Sequence, residues 1–240
     1  MVTPDREQSG IGTAVTIHHP LRASRVRHTP SAVEAYAVQG TPADCVILAL
    51  EAFFKDQIDL VVAGINEGAN LGNDVLISGT VSAALQAHFH DLPAIAVSVA
   101  ALRDPKFDVA AALTQRLVGH VAAGNLPRDV LLNVNVPNLP VEKIKGVMGT
   151  SLAHSRYAGA VEMKTDSRGK AYYWLLRGQP KWELKEGTDI WALRNGFISV
   201  TPLHIDLVNG SKYEGMGELY ASLSSAFTGQ VARPQESAAG

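Results

Sequence analysis

Between Asp59 and Val136, short apolar runs rich in valine and isoleucine alternate with stretches of helical spacing. In order they are Leu60-Val61-Val62-Ala63, Thr80 to Phe89, Ala94-Ile95-Ala96-Val97, Phe107 to Val121, and Leu131 to Val136. Short runs of this kind are expected to be buried on both faces, as in a parallel sheet covered by helices. The expected class is therefore α/β, a doubly wound, mostly parallel sheet with helices on both faces. A further helix is predicted upstream at Thr41-Pro42-Ala43-Asp44, where a hydroxyl can cap, proline takes the first helical position and a carboxylate follows three residues after the cap. Gly124 is placed to end the helix that begins near Phe107.

Beyond Pro137 the texture changes. Asp166-Ser167-Arg168-Gly169 is a turn signal leading into Tyr172-Tyr173-Trp174-Leu175, an aromatic run of strand character, so an extended hairpin is expected. Phe197 to Thr201 reads as a strand and Tyr213 to Phe227 as an amphipathic helix. The division that follows is a core over 1–137, a hairpin, late strand and helix over 138–227, and a disordered tail over 228–240.

The chain has 240 residues, 46% of them hydrophobic, enough for a substantial core. A formal net charge of −2 provides no basic footprint for nucleic acid or an anionic membrane, so neither is an expected partner. Cys45 is the single cysteine, which rules out an internal disulfide and any CxxC metal knuckle and fits a reducing, cytoplasmic setting. It is expected to pack as a small hydrophobe. Met1 to Glu7 lacks the apolar run of a secretory signal, and no later segment approaches the roughly 18 apolar residues of a membrane span. Asn209-Gly210-Ser211 is accordingly read as a turn, not a glycosylation site.

Two loops carry the candidate chemistry. Gly64-Ile65-Asn66-Glu67-Gly68-Ala69-Asn70-Leu71-Gly72 follows a strand and leads through Ser78-Gly79-Thr80 into a helix. Ligands of open α/β sheets bind at the carboxyl ends of the strands. Glycines allow close backbone approach, asparagines supply neutral polar groups, and Ser78 and Thr80 sit where a helix N-terminus attracts an anion. The plain alternative is a connecting loop whose glycines and asparagines only satisfy turns. The second loop, Pro4-Asp5-Arg6-Glu7-Gln8-Ser9-Gly10-Ile11-Gly12, read alone, is a solvated turn. No complete GxGxxG, GxxxxGK[ST] or GxSxG is present. His88 and His90 are two apart, on different faces of a helix, and do not make a metal pair; His18-His19 is read as a strand pair. Val2-Thr3 looks like the last stub of a strand with no first βα unit ahead of it.

Taken in order, Pro4 to Gly10, Gly40-Thr41-Pro42-Ala43-Asp44-Cys45, Gly64 to Gly72 and Ser78-Gly79-Thr80-Val81 closely resemble the SurE survival-protein family. The series continues with Leu132-Asn133-Val134-Asn135-Val136-Pro137, Tyr172-Tyr173-Trp174, Glu186-Gly187-Thr188-Asp189 and Ser199-Val200-Thr201-Pro202-Leu203, covering nearly the whole chain to Phe227. The resemblance implies a Rossmann-like nucleotidase that removes phosphate from nucleoside 5′-monophosphates, with 3′-monophosphates and short polyphosphate as further substrates. It implies one divalent metal, magnesium or manganese, with Ser9 and Asn66 matching two of its ligands, and phosphate contacts from Asn70, Ser78, Gly79 and Thr80. It also implies a homodimer or homotetramer built through the hairpin and C-terminal helix. The residue that would act as catalytic base is not identified.

This sequence departs from the family in two places. The family's metal is also held by two adjacent aspartates at the end of a first strand, and no Asp-Asp dipeptide occurs here. Ile77 stands where relatives often carry a polar or aromatic residue. The first departure has two readings: a chain that begins at an internal methionine of an ordinary nucleotidase, or a non-catalytic relative that keeps phosphate binding or assembly. A third reading is an unrelated Rossmann-like small-molecule enzyme.

Overall fold

The computed structural model describes residues 1–27, 33–156, 160–176, 181–205 and 216–228. The elements run β1 (Val2–Pro4), β2 (Ala23–Arg25), β3 (Tyr36–Val38), α1 (Pro42–Leu48), β4 (Val61–Glu67), α2 (Gly79–His88), β5 (Ala94–Ala100), α3 (Phe107–Ala122) and β6 (Leu131–Pro137). They continue with β7 (Val147–Gly149), β8 (Ser155–Arg156), β9 (Ala160–Thr165), β10 (Ala171–Leu176), β11 (Lys181–Trp182), α4 (Asp189–Arg194), β12 (Ile198–Pro202) and α5 (Met216–Thr228). The chain divides into two compact units, Met1–Leu203 and His204–Gly240, the second contributing α5.

The central sheet has the order β4-β5-β6-β12-β7. Its β4/β5, β5/β6 and β12/β7 pairs are parallel, and β12 runs antiparallel to β6. The mixed, mostly parallel sheet agrees with the α/β expectation. Strand β5 shows how alternation builds two cores. Ala94 and Ala96 face one side, where the small residues Ala83, Ala84 and Ala87 of α2 pack closely. Ile95, Val97 and Val99 face the other, against Ala110 of α3 and Leu132, Val134 and Val136 of β6. Both β7 and β12 lie beyond Pro137, so the sheet draws strands from both sides of the division expected at that residue.

Burial on both faces holds for β5 and β6 but not for β4. The latter is an edge strand, with Val62 37% exposed, because it has a hydrogen-bonded neighbour on one side only. A second correction concerns the stretch after Ala63. Instead of entering a loop at Gly64, the strand shifts register and resumes pairing, Asn66 with Ser98 and Glu67 with Val99. The loop proper is short, and Gly72–Leu76 forms a 3-10 turn before α2. His18 and His19 lie in an exposed bend before Pro20, not in a strand.

Helix α1 begins with the expected capping box: Thr41 Oγ1 accepts from Asp44 N at 3.1 Å, and Asp44 Oδ2 accepts from Thr41 N at 2.8 Å. Asp44 does more than cap. Its Oδ1 accepts from Thr16 N at 2.9 Å, while Thr41 Oγ1 donates to Ala14 O at 2.8 Å, so the pair fastens the first loop to the core. Burial pushes the Asp44 carboxyl up, but the bonds from Thr16 and Thr41 outweigh it and leave its pKa below the usual value. A folded pKa below the unfolded one means stability that is present above the unfolded value and lost as pH falls through the folded one. Asp44→Asn is expected to lower the urea midpoint at neutral pH and to flatten the decline below about pH 4. Parallel acid limbs for the two proteins would contradict this.

Cys45 is buried beside Asp44, and burial pushes its thiol up to about 12, consistent with an inert packing role. The turn at Asp166 joins β9 and β10 as expected, with Gly169 N donating to Asp166 O at 3.0 Å. Helix α5 covers most of the expected Tyr213 to Phe227; residues 213–215, the 209–211 turn and most of the expected tail lie outside the described residues. Among the described residues, no helix is long and apolar enough to cross a membrane.

Candidate functional site

A cavity of about 800 Å³ opens where β1, β4 and α2 meet. Its walls include Ser9, Asn66, Asn70, Ser78, Gly79 and Thr80, so all six residues singled out from the sequence reach one place. Arg6, Glu7, Glu67 and Asp74 line it as well. The loop that read as a solvated turn in isolation is therefore one wall of the cavity.

The N-terminus of α2 forms one wall of it. Ser78 caps it, its Oγ accepting from Val81 N at 3.1 Å, and Ser78 and Gly79 are both buried. The first-turn N–H groups of Gly79 and Thr80 have no intrahelical partner and carry the positive end of the helix dipole. This is the local structure that receives an anion. Glycine is required at position 79 by close approach: a Cβ there would stand 2.9 Å from Pro42 Cγ and 3.3 Å from Gln8 O. The missing side chain lets the first loop lie over the helix end and brings Ser9 to it.

Asn66 is oriented by its own amide. Its Nδ2 donates to Glu67 O at 3.1 Å and Gly68 O at 2.7 Å, which leaves Oδ1 as an acceptor. Ser9 Oγ donates to Glu7 Oε1 at 2.7 Å. The oxygens of Ser9 and Asn66, with carboxylates nearby, are the donors that suit a hard divalent cation and not a thiophilic one. Among the described residues, no three His, Cys, Asp or Glu side chains gather into a metal cluster. His90 instead contacts Glu51 at 3.2 Å and Gln86 O at 2.7 Å.

Asn70 is held by a set of buried polar residues that have no evident role in the sequence alone. Its N–H donates to Asn135 Oδ1 at 2.8 Å and its Nδ2 to Ser98 Oγ at 2.8 Å. Its carbonyl accepts from Asn133 Nδ2 at 2.8 Å and Asn135 Nδ2 at 3.0 Å. Asn133 and Asn135 are two residues apart on one face of β6, paired with Ala96 and Ser98 of β5. Two fully buried asparagines at that spacing inside the apolar run Leu131 to Pro137 were the available signal. Burying an amide costs free energy unless it is hydrogen-bonded, and the three bonds of these amides all go to Asn70, while Asn133 Oδ1 is left without a partner.

Asp189 is a further buried polar residue that supports the site. Fully buried at the start of α4, it accepts from Gly72 N at 2.7 Å, Ala153 N at 3.0 Å and Ile190 N at 2.8 Å. Burial raises its pKa, and the backbone donors work against that rise. Neighbouring Ile190 packs with Leu71 and Ala153, so carboxylate and apolar contact fix the same turn.

With this geometry in view, the comparisons with known proteins are specific. The family model described as survival protein SurE matches residues 1–159. A 5′-nucleotidase SurE of Geobacter metallireducens is 47% identical over 87% of this chain and 81% of its own length. One from Moorella thermoacetica is 46% identical over 96% and 87%. The crystal structure of the SurE protein from Aquifex aeolicus superposes with a TM-score of 0.74 at 38% identity, covering 91% of this chain and 87% of that one. A buried-amide clamp, a capped helix end and a glycine-dependent loop converge on one cavity in a chain so closely related over so much of its length, and the chain belongs to the SurE family.

Proposed function

We infer that this chain is a metal-dependent nucleotidase that hydrolyses nucleoside 5′-monophosphates to nucleoside and phosphate, with 3′-monophosphates and short polyphosphate as further substrates. The observation that carries the reading is the meeting of the α2 N-terminus with Ser9 and Asn66 in one cavity. Relatives called 5′-nucleotidase SurE, 43 to 47% identical, support it.

In this reading Asn70, Ser78, Gly79 and Thr80 hold the phosphoryl oxygens, the helix end offsetting their charge. Ser9 and Asn66 would hold one divalent cation, magnesium or manganese, whose chemistry is to polarise the phosphoryl group and lower the pKa of a bound water. The clamp from β6 keeps Asn70 fixed while charge develops, so no loop reorganisation opposes the reaction. The lack of an acidic cluster among the described residues favours one competitor, a relative that binds phosphate without turning it over.

Release of inorganic phosphate from a panel of nucleoside monophosphates, with manganese and then with EDTA, separates the two. Turnover that EDTA abolishes, and that Asn66→Ala lowers about 100-fold, is the expected result. Phosphate binding without turnover would select the competitor.

Assembly as a homodimer or homotetramer is proposed for the hairpin. On β9 and β10, Val161 pairs with Leu175 and Met163 with Tyr173, giving one apolar face whose four residues are 61 to 84% exposed. The opposite face mixes Glu162 and Lys164, 3.3 Å apart, with their cross-strand partners Trp174 and Tyr172. A two-stranded ribbon is marginal alone, and an exposed apolar face of this kind marks an association surface. Leu175→Asp is expected to reduce the molar mass by light scattering to that of a smaller assembly. An unchanged mass would remove the hairpin from the interface. A reducing, cytoplasmic location fits the single buried thiol of Cys45.

A further inference from the structure

The cavity extends beyond what a phosphate needs, and its outer wall differs in character from its floor. Ile77 and Leu102 both line it, on separate loops, and are 43% and 71% exposed. Ile77 closes the 3-10 turn just before the Ser78 cap, and its backbone is fixed by Gly12 N donating to its carbonyl at 3.0 Å. Leu102 lies just past the carboxyl end of β5, where ligands of open sheets bind. Its Cδ2 stands 3.0 Å from where a Cβ on Gly68 would be, so the side chain lies over the Gly68 turn at the cavity.

We propose that Ile77 and Leu102 form an apolar clamp for the nucleobase of the substrate, and so set a preference for nucleotides over phosphomonoesters that lack a base. The proposal rests on the nucleotidase reading and deepens it. The phosphate position is set by the α2 N-terminus, one residue from Ile77, so the organic part of the substrate must leave toward the exposed rim. A sugar in contact with these side chains would lose hydrogen bonds to water without replacement. A base presents a broad flat face that aliphatic groups cover at little desolvation cost. Single exposed apolar residues are ordinary on any surface, but two on separate loops of one ligand-sized cavity are not scattered.

The test compares adenosine 5′-monophosphate with ribose 5-phosphate, which keeps the sugar and phosphate and lacks the base. With manganese present, kcat/KM is measured for both in the wild type, Ile77→Ala, Leu102→Ala and the double variant. Circular dichroism checks that these exposed substitutions leave the fold intact. The ratio of the two kcat/KM values is expected to fall about threefold in each single variant and about tenfold in the double, through KM for the nucleotide. A ratio within twofold of the wild type in the double variant overturns the clamp. If the wild type hydrolyses neither ligand, the nucleotidase reading fails instead. Calorimetric affinities of the two ligands in manganese then decide the clamp: equal affinities, or no nucleotide binding, overturn it, and a nucleotide advantage lost in the double variant sustains it.

Discussion

Asp189→Ala is expected to destabilise the chain by about 4 kcal/mol, seen as a fall in Tm of about 10 °C. The substitution removes the acceptor for three buried N–H groups, those of Gly72, Ala153 and Ile190. An unmet buried donor costs about 1 to 3 kcal/mol, more than a made hydrogen bond contributes on balance. Asp189→Asn retains one acceptor oxygen but turns an amide toward another donor, so an intermediate loss of about 2 kcal/mol is expected. Because Gly72 opens the turn that leads into Ser78 and the N-terminus of α2, phosphate affinity is expected to weaken in the alanine variant before it unfolds. An alanine variant that melts within 2 °C of the wild type would show that Asp189 does not hold this turn.

The second large effect is expected in activity. Asn133→Asp preserves volume but sets a carboxylate oxygen against the Asn70 carbonyl, where an amide donor now stands 2.8 Å away. The repulsion displaces the loop, and a misplacement of about 1 Å can cost about 100-fold in rate. A loss of kcat/KM of about 100-fold is therefore expected. Loss of stability alone must be separated from loss of position. Thr150→Val supplies the control, since Thr150 is buried, bonded to Ser199 at 2.8 Å and Thr201 at 2.7 Å, and does not line the cavity. It is expected to lower Tm with little change in kcat/KM. If both variants lose activity in proportion to their loss of Tm, the clamp on Asn70 has no positioning role.

The parts of the fold legible in the sequence were those with local causes. Thr41-Pro42-Ala43-Asp44 specified its helix start because a capping box is completed within four residues. The runs specified β5 and β6 because strands covered on both sides are rich in apolar residues, although β6 carries two buried asparagines on one face. The β4 edge was not legible, since Leu60 to Ala63 has the same composition as a central strand and only the neighbours differ. The shift after Ala63 was equally hidden. Gly64 there has φ +125°, and a Cβ would overlap the Val97 carbonyl, a demand set by a strand more than 30 residues away.

For the site, the residues by themselves pointed to an anion, through hydroxyls, amides and glycines at a helix start, and the resemblance to the SurE family added the hard cation. That followed from chemistry carried by the residues and from the short path between Asn66 and Thr80. What the tertiary structure alone decided was their support. Asn135 lies 65 residues from Asn70, and Asp189 lies 117 from Gly72. Hydrogen bonds across such separations exist only after the sheet and α4 have packed, because each bond depends on a position to within a few tenths of an ångström that no local propensity encodes.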